Sequence, residues 1–342
     1  MPNRLESYDE SEGLRRRRRC VATVELNRPL CRDHFLLRLR LRPGSLGATE
    51  PGQFIQLGCR PPYELSNVKA WLGQTHHWSA DEQMRPTQWE LVEPLALLRR
   101  PFSLAGRGED ARGTWVDVIH RVVGVATRWL ANLRSGAKVD LIGPLGNWFT
   151  IPSKHADCLL VGGGVGLPPM FYLAESLSRA GHETIAFVGA ATRNLLPVTF
   201  QGDQDPSPSG QPVMCAIEFS RYGYPTVVTT DDGTCGLSGM ITDGLRIHLE
   251  QADRENLDRT KIYTCGPEAM MRAVTILAAQ HGVDCQVCVE QAMACGLGTC
   301  QSCVVKIEDE TDPHGTTEDG RPWRYYLTCT QGPVFAAEQV VW

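Results

Sequence analysis

A chain of 342 residues, 42% hydrophobic and 21% charged, is long enough for two domains and a smaller third, and too apolar to remain disordered. Its net charge of -5 gives no basic face for nucleic acid, and no apolar run reaches the ~18 residues of a membrane-spanning helix. With no secretory apolar region between Met1 and Gly13, the expected location is cytoplasmic, where thirteen cysteines point to metal ligation and buried thiols rather than disulfides.

Residues 1–19 read as a disordered, solvated tail, in which Glu6, Asp9, Glu10 and Glu12 precede the basic run Arg15 to Arg19. From 20 to 152, strand-like runs at 21–26, 35–41, 54–57, 115–120 and 139–142 are separated by Gly and Pro, which predicts a small antiparallel β-barrel. A polar insertion at 61–94, carrying Trp71, Trp78 and Trp89, interrupts it. In Arg100-Pro-Phe-Ser103 the arginine suits a pyrophosphate, the aromatic ring suits a planar one, and the hydroxyl suits a flavin ring nitrogen. Taken alone, these four residues default to a loop. Ile119-His-Arg121 offers polar groups at a strand edge, and Gly124-Val-Ala-Thr127 makes a phosphate-sized turn at the start of a helix over 126–133.

The periodicity changes at 156. The apolar run 158–161 enters Gly162-Gly-Gly-Val-Gly166, a helix follows over 168–180 and a strand over 184–188, so the unit is βαβ and the sheet parallel. Further strands are expected at 213–217, 226–229 and 261–264, and helices at 239–252 and 267–281, giving an α/β domain over 156–282. Bare glycines at 162, 163, 164 and 166 let a phosphate approach the backbone at a helix N-terminus, although Leu167 breaks the G-x-G-x-x-G spacing. Thr264-Cys-Gly-Pro267 is a second strand-to-helix loop at the carboxyl end of the same sheet, the side on which ligands bind, so Cys265, Gly266 and Pro267 join the glycine loop as nucleotide candidates.

The last module, 283–342, carries Cys295, Cys300 and Cys303 in the spacing C-x4-C-x2-C, that of a plant-type 2Fe-2S cluster, and Cys329 is the natural fourth ligand. Two C-x2-C pairs, Cys285/Cys288 and Cys300/Cys303, offer a structural zinc site instead. Against it, a strand over 283–289 sends Cys285 and Cys288 to opposite faces, and Gly296 and Gly298 sit where backbone N–H groups can point at cluster sulfides. A nicotinamide moves two electrons at once and a 2Fe-2S centre one, so a chain carrying both sites is expected to hold a flavin between them. The expected architecture is therefore multidomain: an antiparallel β-barrel for FAD, a parallel-sheet α/β domain for NAD, and a small C-terminal iron-sulfur module.

In this order the pieces resemble the ferredoxin-reductase-like flavoproteins, and most closely the electron-transfer subunits of class B dihydroorotate dehydrogenase. The resemblance is carried by Arg100-Pro-Phe-Ser103, 119–127, Gly143-Pro-Leu-Gly146, 160–169, Thr230-Asp-Asp-Gly233, Thr264-Cys-Gly-Pro267 and 290–303, and it covers about residues 20 to 335. It implies FAD held by Arg100, Pro101, Phe102, Ser103, Ile119, His120, Arg121, Ala126 and Thr127, and NAD placed by Gly162, Gly163, Gly164, Gly166, Gly266 and Pro267. It also implies a cluster on Cys295, Cys300, Cys303 and Cys329, with Ser103 and Cys265 as the residues nearest the redox chemistry. The implied partner is a separate FMN-containing catalytic subunit, two copies of each chain forming a heterotetramer in pyrimidine biosynthesis. Two other readings are a reductase subunit for a ferredoxin- or hydrogenase-type acceptor and a flavin/iron-sulfur redox sensor. The chain departs from the family at His120, where tyrosine is expected, at Ala126, where glycine is expected, in the 25 residues between Cys303 and Cys329, and in the insertion at 61–94.

Overall fold

The computed structural model describes residues 17–60 and 98–342, so the insertion expected at 61–94 and nearly all of the expected tail lie outside the described residues. Six strands, β1 (Arg18–Cys31), β2 (His34–Leu41), β3 (Phe54–Leu57), β4 (Arg100–Asp110), β5 (Gly113–Arg121) and β6 (Lys138–Leu145), close into an antiparallel barrel in the order β1-β2-β5-β4-β3-β6. Alternation builds its core: Leu37, Leu39 and Leu41 of β2 face Val116 and Val118 of β5 across a buried interior. The first strand starts inside the expected tail, because Arg18 and Arg19 pair with Gly143 and Ile142 of β6 and the Arg19 guanidinium binds the Asp140 carboxylate at 2.9 Å.

Arg100-Pro-Phe-Ser103 is not a loop but the start of β4, paired residue for residue with β3. Glycines hid this strand in the sequence. Gly108 stands where a side chain would overlap the indole of Trp115, so the bare backbone is what lets β4 pair with β5. The helix α1 (Val125–Ala131) plugs one end of the barrel with Ala126 and Leu130. It stops short of 133 because the Asn27 amide donates to the carbonyls of Leu130, Ala131 and Leu133 and satisfies its last turn.

The second sheet has seven strands: β7 (Asp157–Gly163), β8 (Glu183–Ala190), β9 (Thr226–Thr230), β10 (Leu237–Ser238), β11 (Thr260–Cys265), β12 (Asp284–Cys288) and, last in the chain, β16 (Val334–Ala336). The order is β10-β9-β8-β7-β11-β12-β16, parallel throughout except for β16 against β12. Helices cover both faces. Cys158 and Leu160 of β7 pack beneath α2 (Leu167–Ala180), while Leu159 and Val161 pack on the other face. A single helical turn, α3 (Ile217–Ser220), stands on the α2 side, and α4 (Ile241–Gln251) and α6 (Glu268–His281), with the short α5 (Arg254–Arg259) between them in sequence, belong to the opposite side. The run expected as a strand at 213–217 makes two isolated antiparallel bridges, Val213 to Thr226 and Ala216 to Phe200, before α3 begins, while β10 pairs with the other end of β9 at Thr229 and Thr230.

A three-stranded sheet, β13 (Val304–Glu308), β15 (Pro322–Leu327) and β14 (Gly315–Thr316), completes the fold. Both β12 and β16 lie past the expected boundary at 282 and yet run in the parallel sheet, so the C-terminal module is woven into that sheet at one edge. Barrel and sheet meet along α2, where the Tyr172 hydroxyl donates to the Thr49 carbonyl at 2.6 Å and Ile119, Leu36 and Ala105 pack against the α2 core.

Candidate functional site

The C-terminal sheet gathers the four cysteines. Cys303 immediately precedes β13 and Cys329 follows β15, and the register Val304↔Leu327 brings them side by side, with Thr328 N–H donating to the Cys303 carbonyl at 2.9 Å. Cys329 lies beside Cys303, both free, and both residues are buried at 1% exposure against Phe54 and Leu145 of the barrel. Burial first, then the Cys303 sulfur, pushes the Cys329 thiol up to about 12. Cys295 and Cys300 form an outer pair. Gly296 and Gly298 adopt left-handed backbone (φ +68° and +90°), and the loop turns so that the N–H groups of Leu297 and Cys300 donate to Cys295 Sγ at 3.3 and 3.4 Å. Cys300 is exposed, and its hydrogen bond with the Ser302 hydroxyl, at 3.2 Å, is the main cause that lowers its thiol to about 6.

This donor set fits a two-iron cluster. The sulfurs come as two pairs, and among the described residues the trio converging within 4.8 Å is His155, Asp157 and Glu183, so no three cysteine sulfurs gather on a single point as one zinc ion requires. Cys285 and Cys288 lie on opposite faces of β12, Cys285 in the core under α6 and Cys288 in the core under α2, so they cannot join Cys300 and Cys303. The zinc reading fails on that geometry.

Strand β3 separates the cluster loop from the barrel interior. It is buried at every residue: Ile55 and Leu57 point into the barrel, while Phe54 and Gln56 point out toward the cysteines. Phe54 pairs with Ser103 and Gln56 with Pro101, so the candidate flavin hydroxyl shares a face with the ring that touches Cys303 and Cys329. Neither Phe54 nor Gln56 was singled out by sequence. The available signal was a polar residue, Gln56, in an otherwise apolar strand.

The other flavin candidates divide into surface and support. Arg100 donates to the carbonyls of Leu98 and Arg99 at 3.0 and 3.2 Å, while its neighbour Arg99 is bound with Arg19 to Asp140; Arg100 is in no ion pair among the described residues. Arg121 is exposed, and Ile119 faces α2. His120 follows the parity of Val116 and Val118 to the barrel interior at 1% exposure, stacked on Phe35 (5.8 Å between ring centres) and edge-on to Phe102 (6.1 Å). It therefore supports Phe102 from below. Ala126 is a barrel-core residue, and the Thr127 hydroxyl accepts from Val123 and Gly124 N–H at 2.9 and 3.2 Å, holding the turn in shape. That turn is open, with Val123 78% exposed and nothing within 4 Å of a side chain built at Gly124. A guanidinium in no ion pair among the described residues, a hydroxyl and an open turn on adjoining strands suit a flavin dinucleotide.

At the sheet, strand order reverses between β7 and β11, and the crevice outside their carboxyl ends is where such sheets bind ligands. Both candidate loops leave from this point. Gly162 makes room for Leu167 at the start of α2, while Gly163 makes room for Met270 and Gly166 lies directly on the Cys265 carbonyl, so these last two glycines join loop to loop. Gly164 alone combines left-handed backbone (φ +56°) with open space, which suits a phosphate pressing on bare backbone. Gly266 is crossed by the Met270 methyl, and Pro267 caps α6. Cys265 is buried beneath the crevice, and the neighbouring Cys288 thiol, paired with it across β11 and β12, together with burial, holds its thiol well above the usual range. No helix among the described residues is long and apolar enough to cross a membrane.

Comparison with known proteins adds the family. Residues 290–341 match the iron-sulfur cluster binding domain of dihydroorotate dehydrogenase B. The electron-transfer subunit of dihydroorotate dehydrogenase B (NAD(+)) from Fusobacterium nucleatum is 30% identical over 322 residues, 93% of this chain and 96% of that one. The protein of the same name from Geobacillus kaustophilus is 32% identical over 76% of this chain and 88% of its own. Among solved structures, an NADH-dependent reduced ferredoxin-NADP oxidoreductase superposes with a TM-score of 0.65 at 24% identity, covering 94% of this chain and 90% of that one. The ferredoxin reductase of carbazole 1,9a-dioxygenase superposes at 0.53 and 21% identity over 78% of this chain and 67% of its own. At these identities the structural likeness is one of fold.

Proposed function

The chain belongs to the family of dihydroorotate dehydrogenase B electron-transfer subunits, and on that premise we propose that it carries electrons between a catalytic dihydroorotate dehydrogenase partner and NAD, using a 2Fe-2S cluster and FAD, in pyrimidine biosynthesis. The observation that carries the reading is the seating of Cys303 and Cys329 on Phe54, which pairs with Ser103 on the neighbouring strand β4. When bound, FAD supplies the exchange between the two-electron chemistry of nicotinamide and the one-electron chemistry of an iron-sulfur centre. The chain's residues do the positioning. Arg100 supplies a cation for a pyrophosphate, Ser103 a hydroxyl for a flavin ring nitrogen, and His120 sets Phe102 as the surface a planar ring packs on. The Gly164 turn accepts the nucleotide phosphates, with Cys265 behind the nicotinamide crevice. Cys295, Cys300, Cys303 and Cys329 hold the cluster.

Exposure supports where the partner docks. Cys300 is exposed and Leu297 is 41% exposed, so the outer cysteine pair is the edge of the cluster open to a second protein. We further propose that this partner carries FMN, that two copies of each chain assemble, and that the complex is cytoplasmic, a location that suits thirteen cysteines all in the free state. The test is co-expression with the catalytic subunit and an assay of dihydroorotate-dependent NAD reduction by the copurified complex. Reduction that needs both chains and iron supports the reading. A chain that reduces ferredoxin from NADH and gains nothing from the catalytic subunit points instead to a reductase for another acceptor.

A further inference from the structure

We propose that Gln56 is a positioning residue for the iron-sulfur loop, tying the strand beside the flavin-side residues to the first cluster cysteine. The inference rests on the cluster assignment above. An amide at 1% exposure in a strand buried on both faces must find partners or cost stability. Its orientation follows from the polar atoms it faces on the Cys295–Gly296 peptide: Nε2 lies 3.2 Å from the Cys295 carbonyl oxygen and Oε1 lies 3.3 Å from the Gly296 nitrogen. Any side chain at 296 would overlap the Gln56 amide, so the loop lies directly on β3, and Gly296 is in the left-handed region that suits glycine.

The clasped peptide is the one that leads out of Cys295. Fixing its plane fixes the direction of the turn that follows, and that turn aims the N–H groups of Leu297 and Cys300 at Cys295 Sγ. Hydrogen bonds to ligand sulfur raise the potential of a cluster, so Gln56 acts on the cluster through the loop without touching it. Its backbone pairs with Pro101 while Phe54, two residues earlier, pairs with Ser103. A change in how β4 sits against its ligand is therefore felt at the first cysteine through one side chain.

The test compares Gln56→Met, which keeps length and loses both polar contacts, with Gln56→Glu, which keeps an oxygen facing the Gly296 nitrogen. Both are made in the full chain with flavin and iron bound. For Gln56→Met with iron retained, we expect shifted g-values in the electron paramagnetic resonance (EPR) spectrum of the reduced cluster and a lower midpoint potential. We also expect cluster reduction to slow about tenfold relative to flavin reduction in the same stopped-flow trace. A wild-type spectrum and potential with full iron would overturn the proposal, since Gln56 would then only fill space. If Gln56→Met loses iron, the glutamate variant decides: iron retained with a shifted spectrum supports a hydrogen-bonding role, and equal loss in both reduces Gln56 to packing. Wild-type chain lacking iron would instead sink the cluster assignment itself, so the two failures are distinguishable.

Discussion

Cys329 and His120 are where single side chains make sharp predictions. Cys329 is buried beside Cys303 with its thiol held near 12, so iron must displace a proton to bind there. Cys329→Ser should lose iron or shift the visible spectrum; full iron with an unchanged spectrum would place the fourth ligand elsewhere. At His120, burial first and then the nearby His34 lower the imidazole to about 4. The unfolded chain takes up that proton near pH 6.5 and the folded chain only near 4, so stability is whole above about 6.5 and declines as pH falls toward 4, by on the order of 2–3 kcal/mol. The melting temperature should therefore drop across that window, and His120→Phe should flatten the drop; an equally steep fall in the variant would assign it to other groups. The cysteines were legible because ligand spacing is written into the sequence. Gln56 was not, since its meaning comes from a loop 240 residues away in the chain that only the fold brings onto it.

The two glycine-bearing loops at the ends of β7 and β11 allow a test of which glycines join the protein together and which face a ligand. A methyl at Gly166 would overlap the Cys265 carbonyl, which is backbone and cannot turn aside, so Gly166→Ala should cost about 1–3 kcal/mol and weaken NADH binding by prising the loops apart. Gly164→Ala meets no atom and pays only for left-handed backbone, about 1–2 kcal/mol. Thermal unfolding with NADH titration reads both; a Gly166→Ala protein as stable and as tight as wild type would show that the loops separate freely. The strand–glycine–helix unit itself was legible from periodicity, as were five barrel strands. β4 was not, because Pro101, Gly106 and Gly108 read as punctuation until the pairing with β3 and the indole of Trp115 give them reasons. The run at 213–217 misled for the opposite cause: its side chains suit a strand, but its two bridges go to different partners, Val213 to Thr226 and Ala216 to Phe200, so no continuous ladder forms.

Barrel, parallel sheet and cluster module are held as one unit, and Asn147 shows how. Its amide donates to the carbonyls of Gln331 and Val334 at 3.0 and 2.8 Å and accepts from Val334 N–H at 2.8 Å, fastening the end of the barrel to the segment just past Cys329. Asn147→Ala should lower stability by about 1–3 kcal/mol and speed cluster loss to a chelator, and an unchanged release rate would contradict that role. Composition and pattern gave the three-part architecture and its order. They could not give the return of β16 to the parallel sheet, because three residues after a proline carry too little pattern to be recognised as a strand. The account as a whole is tested most directly by anaerobic titration of the purified chain with NADH, followed by visible absorption and EPR spectroscopy. We expect flavin absorbance to bleach and the signal of a one-electron-reduced 2Fe-2S cluster to grow with it. Colourless protein carrying zinc, or a flavin that bleaches while the iron stays oxidised, would contradict it.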